Sequence, residues 1–442
     1  MSGTTTHRLL DAGRGAALAA VLLYALNLRG PITALAPVVE DVRADLALTA
    51  TTVGLLTGVP VLCFALITPL AAVLVGRLGT AQAVAGSLLT VLAGTVLRSV
   101  GDFPTALVGT VLIGAAITVG NVALPVVVAR DFSSGVTGVT GAYTAAMNAG
   151  SVLTTLGTAP LAALVGWRWA LASWGVLAVV ALVAWARVYG WRRAPRVVSA
   201  PDAEAAADDA QDDTAHAPGS TAGPGPATPP ATVATHVLRN PLTWLFVVTF
   251  AAQSASYYGL TAWLPTLLHD QTGLSRAGAG AAAALFQGFG VLGSVLAGGA
   301  LARWRTRRVA LVVGGLWLSL PAGLLLAPAG WAVWASFGGM AQAANFVMIF
   351  SVVTVVADSP AAAGRMSAAI QTVGYVAAGL APSVLGAVHT ASGGWRAPLL
   401  VVLSALAVMV VVHLAAIGLA LRQRGGKLAR RTPASDPAPA AD

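Results

Sequence analysis

The chain has 442 residues, 57% of them hydrophobic and only 9% charged, with a formal net charge of +9. That balance excludes an ordinary soluble domain. Alternating strands of about ten residues, which a transmembrane barrel needs, are absent, so apolar segments of helical length carry the reading.

Twelve apolar spans are predicted, at 15–38, 51–75, 81–100, 104–129, 136–164, 170–189, 242–267, 278–302, 309–327, 332–357, 366–389 and 397–421. The first holds Asn27-Leu28-Arg29-Gly30-Pro31. A guanidinium keeps its proton, and holding one at bilayer depth costs about 3 kcal/mol on the insertion scale. Such a residue faces a bundle interior or a wet cavity. No Asp or Glu lies deep in any span, so Arg29 reads as a seat for an anion. The structural alternative has Arg29 bonding carbonyls freed by Pro31. Asn27 points elsewhere on the helix, whereas Thr33 shares the face of Arg29. Arg8 and Arg14 precede this span as in a signal peptide, but its length reads as a retained helix.

The second span contains Pro60-Val61-Leu62-Cys63-Phe64, whose single cysteine excludes disulfides and cysteine metal clusters. The loop Gly76-Arg77-Leu78-Gly79-Thr80 follows. In the fourth span, Asn121 either offers its amide to a cavity or holds helices together; Arg130-Asp131-Phe132 closes that span. Thr144, Asn148, Ser151 and Thr155 form a polar stripe on the fifth span, which reads as a helix-seating surface. Trp167, Trp169, Trp263 and Trp395 at span ends read as membrane-interface anchors.

From 194 to 238 the composition changes to acidic residues, Asp202 to Asp213, and then Gly223-Pro224-Gly225-Pro226. Such a segment cannot bury enough apolar surface to order itself and reads as a disordered cytoplasmic linker, more a spacer than a regulatory site. The expected domains are a six-helix bundle at 1–193, this linker, a second bundle at 239–424 and a disordered tail at 425–442.

In the seventh span, Gln253, Ser256 and Tyr257 share one face, with Ser254 and Tyr258 on the adjoining stripe. The first set reads as a wet wall; Tyr258 has the alternative of packing with a bonded hydroxyl. Gln342 and Asn345 on the tenth span are three apart and could line the same cavity, and Gln371 and Tyr375 on the eleventh are four apart. His389 and His413 could carry a proton, but the interfacial reading is preferred for His389. No His, Asp and Glu set has metal-ligand spacing.

The two halves echo each other. Gly166-Trp167-Arg168 returns as Gly394-Trp395-Arg396, Leu35-Ala36-Pro37 is answered by Trp263-Leu264-Pro265, and Asp131 by Asp358, at offsets of 227 or 228. Two repeats in one membrane orientation point to a six-plus-six secondary transporter with a midplane site. Of the 25 Lys and Arg, 19 fall on the loops and tails of one side and only Arg43, Arg98, Arg168, Arg276 and Arg396 on the other. The positive-inside rule then puts both termini in the cytoplasm, and the basic balance is topological rather than a nucleic-acid footprint.

These stretches, with Gly120-Asn121-Val122-Ala123-Leu124-Pro125, Gln371-Thr372-Val373-Gly374-Tyr375 and Gly393-Gly394-Trp395, resemble transporters of the major facilitator superfamily, in its cyanate and nitroimidazole group. The resemblance implies an all-α fold of about twelve helices in two pseudo-symmetric six-helix bundles. It also implies a central cavity lined by spans 1, 4, 7 and 10. The chain departs from the pattern at Gly76–Thr80, which lacks the acidic and second basic residues of the superfamily's gating loop. It departs again at Ala341-Gln342-Ala343-Ala344-Asn345, where a Gly-rich stretch is expected. Gly157-Thr158-Ala159-Pro160 lacks the Gly-Pro element of drug/proton antiporters.

The expected function is secondary transport of a small, cyanate-like anion or weak acid across the cytoplasmic membrane. Arg29, Asn27, Asn121, Gln253, Ser256, Tyr257, Tyr258, Gln342, Asn345, Gln371 and Tyr375 are the candidate contacts. No phosphate loop is present, so ATP is not the driver. No cofactor, metal or enzymatic activity is expected; the partners are the bilayer, the solute and optionally a coupled proton, in a monomer. The alternatives are export of a neutral aromatic such as a nitroimidazole, and a membrane sensor that does not transport. Membrane-embedded hydrolysis lacks a constellation to support it.

Overall fold

The computed structural model describes residues 3–190, 240–357 and 359–431. The predicted linker, Asp358 and residues 432–442 of the predicted tail lie outside the described residues.

The first span is broken into α1 (Gly3–Leu26), the short α2 (Gly30–Thr33), a tight turn at Ala36–Val38 and α3 (Val39–Asp45). Pro31 and Pro37 lack the N–H a continuous helix requires, which is why one apolar run becomes several pieces. The first half continues with α4 (Ala50–Leu78), α5 (Thr80–Ser99), α6 (Phe103–Asp131), α7 (Val136–Ser173) and α8 (Gly175–Tyr189). Within α7 the chain turns at Gly166, whose φ of 80° suits a residue without a side chain, so the fifth and sixth spans meet there. The second half comprises α9 (Pro241–Thr272), α10 (Arg276–Arg303), α11 (Thr306–Leu326), α12 (Trp331–Val356), α13 (Pro360–Ser392) and α14 (Arg396–Arg431). The last helix runs past 425, where the tail was expected.

Among the described residues, ten segments are long and apolar enough to cross a membrane. One of them, 138–189, holds two crossings because of the Gly166 break, and the more polar α9 supplies the twelfth.

The halves repeat in space as in sequence. Trp167 donates to Asp45 at 3.2 Å, and its counterpart Trp395 donates to Asp270 at 2.8 Å. Each clamp ties the end of the half's first span to its fifth-to-sixth hairpin. Trp167, Trp263 and Trp395 are therefore not interface anchors: they are 8%, 1% and 6% exposed, with their indole N–H groups bonded inside the protein. Trp169, 72% exposed, keeps an outward position.

The end of the bundle bearing these clamps, opposite the one where α8 ends and α9 begins, is called distal. The halves meet there. Gly54 and Gly58 of α4 lie against Ser383 and Gly379 of α13, and Gly280 of α10 lies against Thr155 and Ala159 of α7. Small residues let the backbones approach, the usual basis of helix contact in lipid. Arg276 pairs with Asp41 across the same seam. One continuous body of buried side chains crosses it, joining Leu35, Val39 and Leu56 to Trp263, Leu267 and Phe286. Toward the other, proximal end each half has its own core, one around Tyr24, Ile117 and Trp185, the other around Phe246, Ile370 and Ala416. The bundle is sealed distally and divided proximally.

Candidate functional site

Arg29 stands at the start of α2, with φ −131° and ψ −35°, in the turn left by the helix break. The turn is held from α7. The Thr154 hydroxyl donates to the Gly30 carbonyl at 3.1 Å, and the Ser151 hydroxyl bonds that of Thr33 at 3.1 Å. Of the α7 polar stripe, Ser151 thus seats α7 on the first span, joined by Thr154, which lies outside the stripe. Asn148 does something else: its Oδ1 accepts from Arg29 Nη1 at 2.8 Å. The side chain that orients the guanidinium was legible in the sequence only as one member of that stripe.

Among the described residues, the ionisable neighbours of Arg29 are Tyr257, Tyr258 and Tyr375, all from the other half, and no carboxylate is among them. Tyr257 and Tyr258 meet edge to face at 4.9 Å. Tyr257 also stacks on Phe286 at 5.8 Å and donates to Gln287 Oε1 at 2.9 Å. Gln287, 4% exposed, lies on the eighth span, outside the four spans expected to line the cavity. Tyr375 packs edge-on at 5.6 Å against both Phe64 of the first half and Phe250 of its own. Its hydroxyl reaches Gln371 Oε1 at 3.5 Å, a long contact. Arg29 is thus a half-buried cation with tyrosines of the other half as its ionisable neighbours, just proximal to the Gly58–Gly379 seal. A guanidinium and nearby hydroxyl donors are both stabilising to an anion.

The other expected contacts divide. Asn121 is half-buried on α6 and has no hydrogen-bond partner among the described residues, so its amide is free. Gln342 is also half-buried; its main-chain carbonyl accepts from Gln253 at 2.7 Å. The Ser256 hydroxyl is buried without a partner. Three residues turn away from the shared surface. Asn27 donates to the Leu23 and Leu177 carbonyls, within α1 and on α8. Gln253 Oε1 takes Trp317 Nε1 at 2.6 Å and Asn345 Nδ2 at 3.0 Å, and His413 Nδ1 meets Asn345 Oδ1 at 3.1 Å. These groups satisfy one another inside the second half, because a buried amide in a membrane helix must find partners wherever packing supplies them. Gln253, expected on a wet wall, and Asn345 and Asn27, expected at the cavity, thus have their hydrogen bonds within their own halves.

At the distal end, a cavity of about 240 Å³ between the halves is lined by Glu40, Asp41 and Arg43 on one side and His269, Asp270, Arg276 and His389 on the other. His389 stacks on Trp395 at 4.1 Å. At the proximal end, Arg130 pairs with Asp131 and donates to Thr80, while Tyr189 donates to Asp131. This joins α5, α6 and α8 at the motif that closes the fourth span.

Residues 17–382 match the sequence model of the Major Facilitator Superfamily. The chain is 30% identical over 399 residues to the 2-nitroimidazole transporter of Escherichia coli (strain K12), covering 90% of this chain and 94% of that protein. It is 26% identical over 393 residues to the cyanate transport protein CynX of the same organism, covering 86% and 91%. Among solved structures it is similar to a bacterial homolog of the human lysosomal transporter Spinster, in an inward-facing and unoccupied conformation. There the TM-score is 0.63, with 17% identity over 96% of this chain and 99% of that one.

Proposed function

From the premise that this chain belongs to the Major Facilitator Superfamily and is a multi-pass membrane transporter, we propose that it carries a small planar anion or weak acid of the cyanate class, seated between Arg29 and the tyrosines Tyr257, Tyr258 and Tyr375. The observation that carries this reading is the guanidinium of Arg29, bonded to Asn148 and, among the described residues, with tyrosines of the opposite half rather than a carboxylate as its ionisable neighbours. A fixed cation in a low-dielectric site replaces the hydration an anion gives up on entry. Asn121, Gln342, Ser256 and Gln371 have amides or hydroxyls to complete the shell.

Both relatives' names fit one chemistry. Cyanate is a small anion, and 2-nitroimidazole carries a ring N–H that its nitro group makes acidic. A planar anion satisfies Arg29 in either case. The competing reading, a neutral aromatic solute, is favoured by the rings of Tyr257, Tyr258, Phe286 and Tyr375. In that case the aromatic wall holds the solute and Arg29 is secondary.

Transport proceeds by rocking of the two halves, 1–193 and 239–424, with the distal seam opening as the proximal cleft closes. The proximal end faces the cytoplasm, as the basic loops require, in the inner membrane of the cell. Moving one negative charge toward an inside-negative compartment costs about 2.3 kcal/mol per 100 mV. Uptake therefore needs an accompanying proton or a steep gradient, whereas export needs neither. Of the carboxylates, Glu40, Asp41 and Asp270 lie on a cavity between the halves and suit a proton carrier's position.

The test is counterflow of labelled cyanate in proteoliposomes, with and without imposed pH and voltage gradients. Arg29→Gln is expected to reduce cyanate flux at least a hundredfold, because a charge-assisted contact in a dry site contributes about 3 kcal/mol. Flux of cyanate within threefold of wild type in that variant overturns the anion reading in favour of the neutral one.

A further inference from the structure

The membrane region contains a second arginine that sequence reading had assigned to a distal loop. Arg98, one residue before the end of α5, is 2% exposed. Its Nη1 donates to the carbonyl of Pro31 at 2.6 Å, while Nε and Nη2 are buried and have no partner among the described residues. Among the described residues no carboxylate acts on its charge.

The bond to Pro31 has a clear local cause. In the broken first span the Arg29 carbonyl accepts the amides of Ile32 and Thr33, and the Gly30 carbonyl accepts that of Ala34. No backbone amide reaches the Pro31 carbonyl. An unbonded carbonyl at bilayer depth is unfavourable, and Arg98 supplies the missing donor. A neutral hydroxyl or amide donor suffices in principle for such a task. Burying a guanidinium instead of a hydroxyl carries a far larger desolvation penalty. The charge therefore calls for a use of its own, and the residue it touches is two positions from Arg29.

We propose that Arg98 is a positioning residue whose charge also matters: it pins the Pro31 carbonyl that fixes the Arg29 turn, and it places a second positive centre behind the anion seat. The inference rests on the anion reading of Arg29. The two-residue separation and the reach of the side chains set the second charge on the order of 10 Å or more from the solute. At an effective dielectric constant near 20, its attraction strengthens binding on the order of tenfold.

The experiment separates the charge from the hydrogen bond. Affinities of the purified full-length protein for cyanate, thiocyanate and nitrate are measured by calorimetry for wild type, Arg98→Lys, Arg98→Gln and Arg29→Gln, with thermal unfolding to establish that each is folded. Arg98→Lys keeps donor and charge and is expected within threefold of wild type. Arg98→Gln keeps a donor without charge and is expected to bind on the order of tenfold more weakly. Should Gln fail to fold, Arg98→citrulline, which retains the shape and the donors, takes its place with the same expected loss. Equal affinities for the charged and uncharged variants overturn the role of the charge; if Arg29→Gln then still abolishes binding, the anion reading stands without it. Wild-type protein that binds none of the three anions overturns the reading and this inference together.

Discussion

Alanine at position 58 tests whether the distal glycine seam is what holds the bundle closed. A Cβ built on Gly58 collides with the Gly379 carbonyl oxygen and lies 3.0 Å from the carbonyl carbon. Both sides of that contact are backbone, so no side chain can swing aside and α4 must move from α13 by roughly 1 Å to restore normal contact. Overpacking of this kind costs about 1–3 kcal/mol. In an alternating-access protein the penalty falls on the distally closed state alone, because the open state has no α4–α13 contact there. The gain in helix propensity, about 1 kcal/mol, applies to both states and cancels. The closed-to-open ratio should therefore fall by a factor of about 5 to 150. Spin labels at Ala44 and Ala391, both exposed on opposite sides of the seam, report the change as a longer distance population in a Cys63→Ser background. Gly76→Ala and Gly86→Ala, where the added atom meets nothing within 4 Å, serve as controls and should leave the distances unchanged. A folded Gly58→Ala protein with the wild-type distance distribution refutes the seam as the closing contact.

Further outcomes follow from the same geometry. Asp41→Asn removes the ion pair with Arg276, whose side chains are 30% and 57% exposed, so its effect on the same distances should stay under about 1 kcal/mol and below that of Gly58→Ala. The charge-swapped pair Asp41→Arg with Arg276→Asp should restore the wild-type distribution; failure of the swap while the single variants open the seam refutes the pairing. Gln253→Ala strands the Trp317 indole N–H and one Asn345 hydrogen in the core of the second half, and should destabilise the fold by about 2–4 kcal/mol. Thermal unfolding reads that loss, while cyanate affinity in the folded fraction should remain within twofold; a selective loss of affinity at unchanged stability would return Gln253 to the site.

The amino-acid sequence by itself determined the class of molecule. Length and apolarity of the segments follow from bilayer thickness, and the repeat at offsets near 228 fixes a duplicated architecture whichever way the helices pack. It also singled out Arg29, since a permanent charge in an apolar span is costly anywhere and must have a use. What it could not determine was direction. A polar residue on a membrane helix finds its partner wherever a neighbour happens to lie, so periodicity could not tell Gln253, which is spent on Trp317 and Asn345, from Tyr257, which faces Arg29. Asn148 and Arg98 were visible as letters, but one looked like helix glue and the other like a loop charge. Only the tertiary structure decided their roles, because the break at Pro31 creates an orphan carbonyl and a reoriented guanidinium whose partners come from α5 and α7, more than sixty and more than a hundred residues away along the chain. Hydropathy is local, whereas the satisfaction of a buried polar group depends on which distant helices pack beside it.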